Sequence, residues 1–188
     1  MPSPPAPPRR PSPATVALYN AVPSVLWSVL ARGPLVLASY RYVERPWLWG
    51  FVALSLSAYG WPVAWLRGLQ LSGRAATYRQ LGVPAAGRLA QQGALVNQLL
   101  RRRYPGYRVL AGRPGVARLV GTSYQQERFH WAGLLLFGLL GGYLGLRGHP
   151  GWALALAALN VGYNLYPIWL QQYLRLRLGP VAARRRGA

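Results

Sequence analysis

The chain has 188 residues, with 22 Lys+Arg against 2 Asp+Glu and 2 His, for a formal net charge of +20; every cation is arginine. Such a charge points to anionic partners, but 52% of the residues are hydrophobic and they fall in long blocks, which argues against nucleic acid and for an anionic membrane face. With no Cys there is no disulfide, thiolate nucleophile or cysteine metal site, and so few acids and histidines make no metal centre.

Residues 1–14 are Pro-, Ser- and Ala-rich, carry Arg9 and Arg10, and are expected to form a disordered N-terminal tail. Residues 15–66 are expected to hold two transmembrane spans. The first apolar run, Val16 to Ala31, is interrupted by Pro23 and closed by Arg32, and a second patch runs from Pro34 to Ser39. Basic residues ahead of an apolar run resemble a signal peptide, but no small-x-small cleavage site follows, so an uncleaved span is the better reading. The second run, Trp47 to Leu66, has no charge inside it and has Trp47, Trp49, Trp61 and Trp65 near its ends. Its length of about 20 residues matches the hydrocarbon core, and Trp favours the interface.

Residues 67–128 are polar and rich in Gly, Gln and Arg, including Arg101-Arg102-Arg103. Leu89, Val96, Leu99 and Leu100 share one face of a helix between Ala86 and Tyr104. That pattern fits a helix lying on the membrane, and a solvated basic loop held by lipid phosphates fits it equally. Residues 129–178 read as a transmembrane hairpin: a span from Trp131 to Leu146, a turn at Arg147-Gly148-His149-Pro150-Gly151, and a span from Trp152 to Leu170. Residues 179–188 form a basic tail. The expected fold class is an all-α membrane protein of about four transmembrane helices, with a basic, partly helical cytoplasmic segment between the second and third. The arginine distribution puts both basic segments and both termini on the cytoplasmic side of a multi-pass cell-membrane protein.

The chemistry-bearing residues gather at one end of the hairpin. Glu127 and His130 are two of the chain's four acids and histidines, and they stand one helical turn apart at the mouth of the third span. With the turn centred near His149, equidistant residues share a depth, so Glu127 is level with Gln171 and His130 with Pro167 and Ile168. Asn160, Asn164, Gln171 and Arg175 fall within roughly 60° of one another on an α-helix. Such a stripe in a membrane helix faces protein or a water-filled cavity. Pro167 removes one N–H and frees the carbonyl of Tyr163, which predicts a kink. Gly138-x-x-x-Gly142 and Gly141-x-x-x-Gly145 allow close helix approach, so interhelical glue is an alternative role for the stripe. A neutral His is the natural general base near neutral pH, a nearby Glu can orient it, and Arg and Gln can bind a carbonyl, phosphate or carboxylate. The bland reading, in which Glu127 pairs with Arg128 or Arg175 and His130 sits among interfacial aromatics, stands beside the catalytic one.

At these residues the chain resembles a known family. Glu127-x-x-His130-Trp131, followed by an apolar span, a turn and Asn164-x-x-Pro167-x-x-x-Gln171-x-Tyr173-x-Arg175-x-Arg177, is similar to the glycosyl-4,4'-diaponeurosporenoate acyltransferases of carotenoid biosynthesis. Leu81-Gly82-Val83 and Gly93-Ala94-Leu95-Val96-Asn97 before the arginine cluster extend the resemblance to about residues 75–178. The chain departs from the pattern at Gln172, at Leu174 and after Val83. The resemblance implies an integral-membrane acyltransferase that moves a fatty acyl group onto a sugar hydroxyl of a glycosylated carotenoid or similar glycolipid. It implies no bound cofactor, an acyl-CoA or acyl-carrier thioester as co-substrate, and membrane lipids as surroundings. Glu127 and His130 would then be catalytic, with Asn164, Gln171, Tyr173, Arg175 and Arg177 binding substrate. A non-catalytic membrane assembly protein and a transferase acting on another lipid are the alternatives.

Overall fold

The computed structural model of the chain describes residues 11–87, 94–105 and 112–184, and all regular structure among them is helical. Helix α1 runs from Pro13 to Tyr42, and the Ser12 side chain accepts from Thr15 N at 3.1 Å to cap it. The cap starts the helix inside the expected tail. Pro23 and Pro34 do not divide it, so the two apolar patches lie on one helix.

The second expected span does not form as a single helix. Residues Arg45–Leu56 make a 12-residue helix, α2. A 3₁₀ turn at Ser57–Gly60 and an extended residue at Trp61 follow, and then a short α3 at Val63–Gly68. The cause is Pro62, which has no N–H to continue the ladder and forces the preceding residue out of the helical region. A 12-residue helix is about 18 Å long, short of a hydrocarbon core. The carbonyl of Trp61 accepts from Arg128 Nε at 2.9 Å, which ties the break to the third apolar segment.

Two short helices, α4 at Ala75–Gln80 and α5 at Val83–Ala86, are joined by Gly82 in the left-handed region (φ +71°). The Leu-Gly-Val motif is therefore a turn, and Val83 is buried with Tyr78 and Tyr173. Tyr166 Oη donates to the carbonyl of Leu81 at 3.0 Å, closing this segment onto the last helix. Helix α6, Ala94–Arg103, buries Val96 and Leu100 and leaves Leu99 exposed, so the expected apolar face is narrower than the sequence suggests. Leu89 and Gly93 lie outside the described residues.

Helix α7 spans Gly112–Leu146. It ends where Gly148 adopts φ +81°, with His149 N bonded to Leu144 O at 2.8 Å and Gly148 N to Gly145 O at 3.2 Å. This pairing satisfies the last carbonyls, and Pro150 then opens α8, Pro150–Asn160, at a position where its missing N–H does no harm. The helix passes through a π turn at Val161–Leu165 into α9, Tyr166–Arg184, which carries the helix into the expected basic tail. Gly141 and Gly145 lie against Ala153, as their spacing suggested, whereas Gly142 meets nothing.

Among the described residues two helical stretches are long and apolar enough to cross a membrane, Arg118–Leu146 and Pro150–Gly179. The expectation of four is corrected to these two. The break at Pro62 divides the second expected run into two shorter helices. A core of Ala31, Leu35 and Ala38 from α1, Val43, Phe137, Leu140 and Leu144 from α7, and Leu156 from α8 joins α1 to the hairpin. At the hairpin turn Glu44 pairs with Arg147, and Tyr42 packs on His149 at 4.3 Å between ring centroids. Leu156→Ala, which empties a fully buried site, is expected to cost about 2–5 kcal/mol of stability in thermal or denaturant unfolding in detergent. Leu154→Ala, at an exposed position on the same helix, should change it by less than about 0.5 kcal/mol.

Candidate functional site

The far end of the hairpin from Gly148 holds a carboxylate with no solvent exposure, Glu127. An ionised carboxylate in such a place must be paired and hydrogen-bonded. Arg175 Nη2 lies 2.5 Å from Glu127 Oε2, and Gln172 Nε2 donates to Oε1 at 2.9 Å. Arg175 Nη1 reaches Ser123 Oγ at 3.4 Å, and the guanidinium lies 4.1 Å over the ring of Tyr124. Ser123 is one helical turn before Glu127 on α7, so α7 presents both to α9.

Gln172 extends the network into the loop before α4. Its Oε1 accepts from Leu71 N at 3.1 Å and lies 3.0 Å from Tyr78 Oη. Tyr78 Oη also lies 3.1 Å from Ser72 O and accepts from Ser72 N at 3.2 Å. One phenol proton serves Gln172 and Ser72 in alternation. Burial pushes the Tyr78 phenol above its ordinary pKa, which keeps that proton in place at neutral pH.

A π turn takes one residue more than an α turn, and this decides which glutamine points inward. Pro167 cannot donate to Tyr163, and Tyr166 N reaches back five residues to Val161 O. The added residue rotates everything beyond it by about 100°. Gln171, expected level with Glu127, is swung away and is only half-buried, while Gln172 is turned in and buried. The sequence did carry a signal for this: Pro167 predicted a disrupted turn, and allowing it one extra residue selects Gln172.

His130 sits in a second polar cluster. Glu127 is fully engaged by Gln172 and Arg175, and the His130 ring instead faces the Asn164 side chain and the Tyr163 carbonyl that Pro167 leaves without its usual donor. Its neighbours are therefore one turn nearer the hairpin bend than Pro167 and Ile168. Its ring stands edge-on to Phe129 at 5.0 Å and to Tyr163 at 6.0 Å. Asn164 is buried, and its Nδ2 donates to Asn160 Oδ1 at 2.8 Å; Asn160 Nδ2 in turn donates to Leu134 O at 3.0 Å. Asn160 thus ties α8 to α7, the contact that the alternative, interhelical-glue reading of the stripe describes. Gly133 makes room for the Asn164 amide: a Cβ there would lie 2.2 Å from Oδ1.

The remaining candidates are at the edge of the first cluster. Tyr173 is buried against Tyr78 at 6.2 Å between ring centroids, and the Arg177 guanidinium lies 6.0 Å over the Tyr173 ring with its side chain exposed. Of the residues picked from sequence, the structure joins Glu127 with Arg175, and His130 with Asn164. Gln172, Tyr78, Ser123 and Gly133 are additions that depend on partners distant in sequence.

A family model described as glycosyl-4,4'-diaponeurosporenoate acyltransferase matches residues 62–184, a stretch that takes in both clusters. No curated protein and no solved structure matches the chain.

Removing Glu127 leaves Arg175 buried and uncompensated. Glu127→Ala is expected to cost about 3–5 kcal/mol in detergent unfolding, whereas Glu127→Leu with Arg175→Met should recover most of that loss. Gly133→Ala should cost about 1–3 kcal/mol, because the new methyl displaces the Asn164 amide.

Proposed function

The chain belongs to the glycosyl-4,4'-diaponeurosporenoate acyltransferase family, and from that premise we propose that it is an integral-membrane enzyme that moves a fatty acyl group from a thioester to a sugar hydroxyl of a glycosylated carotenoid or similar glycolipid. The supporting observation is the second polar cluster: a histidine beside a freed backbone carbonyl and a buried amide, inside an otherwise apolar hairpin. His130 takes the proton of the acceptor hydroxyl as its oxygen attacks the thioester carbonyl. The new C–O ester bond forms, the C–S bond breaks, and the leaving thiolate recovers the proton from the imidazolium. Transfer is direct in this reading, since the chain has no cysteine and no serine in a nucleophile-elbow motif to carry the acyl group.

Glu127 serves the reaction indirectly in this reading. Both its oxygens are engaged, so it holds Arg175 and Gln172, and through them the loop before α4 against α9. Arg175 is itself committed to Glu127 and Tyr124, which leaves the half-buried Gln171 and the exposed Arg177 on Tyr173 to meet the donor's carbonyl and phosphates. An apolar polyene suits the lipid face of the hairpin. The outward face of α1 also suits lipid: Leu18, Val22, Val25, Leu26, Val29 and Leu30 are all exposed there. In this arrangement Arg118–Leu146 and Pro150–Gly179 cross the cell membrane, with the basic segments and both termini at the cytoplasmic face, where acyl-CoA or an acyl-carrier protein approaches.

The test is acyl transfer by purified protein in detergent, with labelled acyl-CoA or acyl-carrier protein and a glycosylated carotenoid. His130→Ala should lower the rate about 10²–10⁴-fold at unchanged yield of folded protein. Full activity in that variant would overturn the assignment of the base.

A further inference from the structure

A neutral imidazole is a donor at one ring nitrogen and an acceptor at the other, and which is which is set by the bond the first nitrogen makes. Two buried polar atoms in the second cluster have no aligned partner, His130 Nδ1 and Asn164 Oδ1, although the two side chains face each other. Unpaired buried atoms call for an explanation. The orientation of the Asn164 amide is not free, because Asn160 Nδ2 is committed to Leu134 O and so presents Oδ1 to Asn164 Nδ2. Turning the amide over would set two carbonyl oxygens against each other. Asn164 therefore presents an acceptor, seated against Gly133 on α7 one turn beyond His130.

We propose that Asn164 is the positioning residue of His130: its Oδ1 accepts the Nδ1–H proton, which holds the ring in the Nδ1–H tautomer and leaves Nε2 as the basic atom. A single hydrogen bond between them satisfies both orphan atoms at once. The relay Leu134 O, Asn160, Asn164, His130 then fixes the base from the opposite helix. Pro167 contributes by freeing the Tyr163 carbonyl, the other polar neighbour of the ring. This assigns to Asn164 the orienting role that spacing alone offers to Glu127, and its catalytic meaning rests on the acyl-transfer reading.

The tautomer can be read without any activity. The chain has two histidines, so a His149→Gln background leaves His130 as the single imidazole. In the full-length protein in micelles, ¹⁵N spectra at alkaline pH should show Nδ1 protonated and Nε2 bare. Asn164→Ala should convert the ring to the Nε2–H form that free imidazole favours. Asn164→Asp, which keeps the acceptor oxygen but cannot donate to Asn160, should retain Nδ1–H and so separates orientation from mere helix glue. A bare Nδ1 in the protein with Asn164 intact overturns the proposal, as does an Asn164→Ala ring that stays Nδ1–H. In the kinetic arm, Asn164→Ala should lower kcat on the order of 10²-fold with the acceptor KM unchanged. A raised KM at unchanged kcat would instead make Asn164 a substrate ligand and overturn the proposal. Should the Nδ1–H tautomer be present in a protein that transfers no acyl group, the acyl-transfer reading fails and the orientation stands.

Discussion

A carboxylate with no exposure is the constraint around which the polar end of this molecule is arranged. Glu127 has left water completely, and only a full set of donors makes that tolerable. Those donors come from one face of α9, Gln172 and Arg175, one turn apart. Each then has further bonds to make. Arg175 turns to Ser123 and the Tyr124 ring, and Gln172 to the Leu71 amide and Tyr78. In this way one buried charge on α7 sets the depth of α9 and draws the loop before α4 onto both helices. A pair of this kind is weak as a source of net stability but strong as a register device, because any slip leaves a charge unpaired.

The π turn makes that register possible. Between the hairpin bend and Asn164 the two long helices meet through small residues, with Gly141 and Gly145 against Ala153, and through one interhelical hydrogen bond from Asn160 to Leu134 O. Beyond Pro167 the contacts are polar and fall on a different face of the helix. An unbroken α-helix carrying Asn160 and Asn164 inward would have turned Gln172 away from Glu127. One inserted residue reconciles the two halves, and the proline that causes it also frees a carbonyl at His130.

The two polar clusters consequently divide the work. Around Glu127 the bonds are saturated, which suits a part that holds elements together. Around His130 and Asn164 they are not: Nδ1 and Oδ1 are buried without partners, and such atoms call for an explanation. In the acyl-transfer reading proposed above, the apolar surroundings suit a lipid-borne acceptor and a base working away from bulk water.

The hairpin, its turn and the rare polar residues at its mouth were legible in the amino-acid order because their signals are local. Gly148 followed by Pro150 ends one helix and begins another wherever it occurs, and a Glu, a His or an Asn stands out in an apolar run. The family likeness rested on the same residues. Local pattern misread the stretch from Trp47 to Leu66, where an apolar composition long enough for a span outweighed the Pro62 that divides it. It also chose Gln171 over Gln172, because a constant step of about 100° per residue cannot register a π turn. Partnerships across the chain were beyond it altogether: Tyr78 with Gln172, Arg128 with Trp61 O, and Asn164 in the space left by Gly133. Composition and turn chemistry determined which segments are helices and which residues are candidates. Only the packed hairpin decided which faces meet, since helix rotation depends on contacts between residues far apart in sequence, and there the carboxylate was given its cation and the histidine its amide.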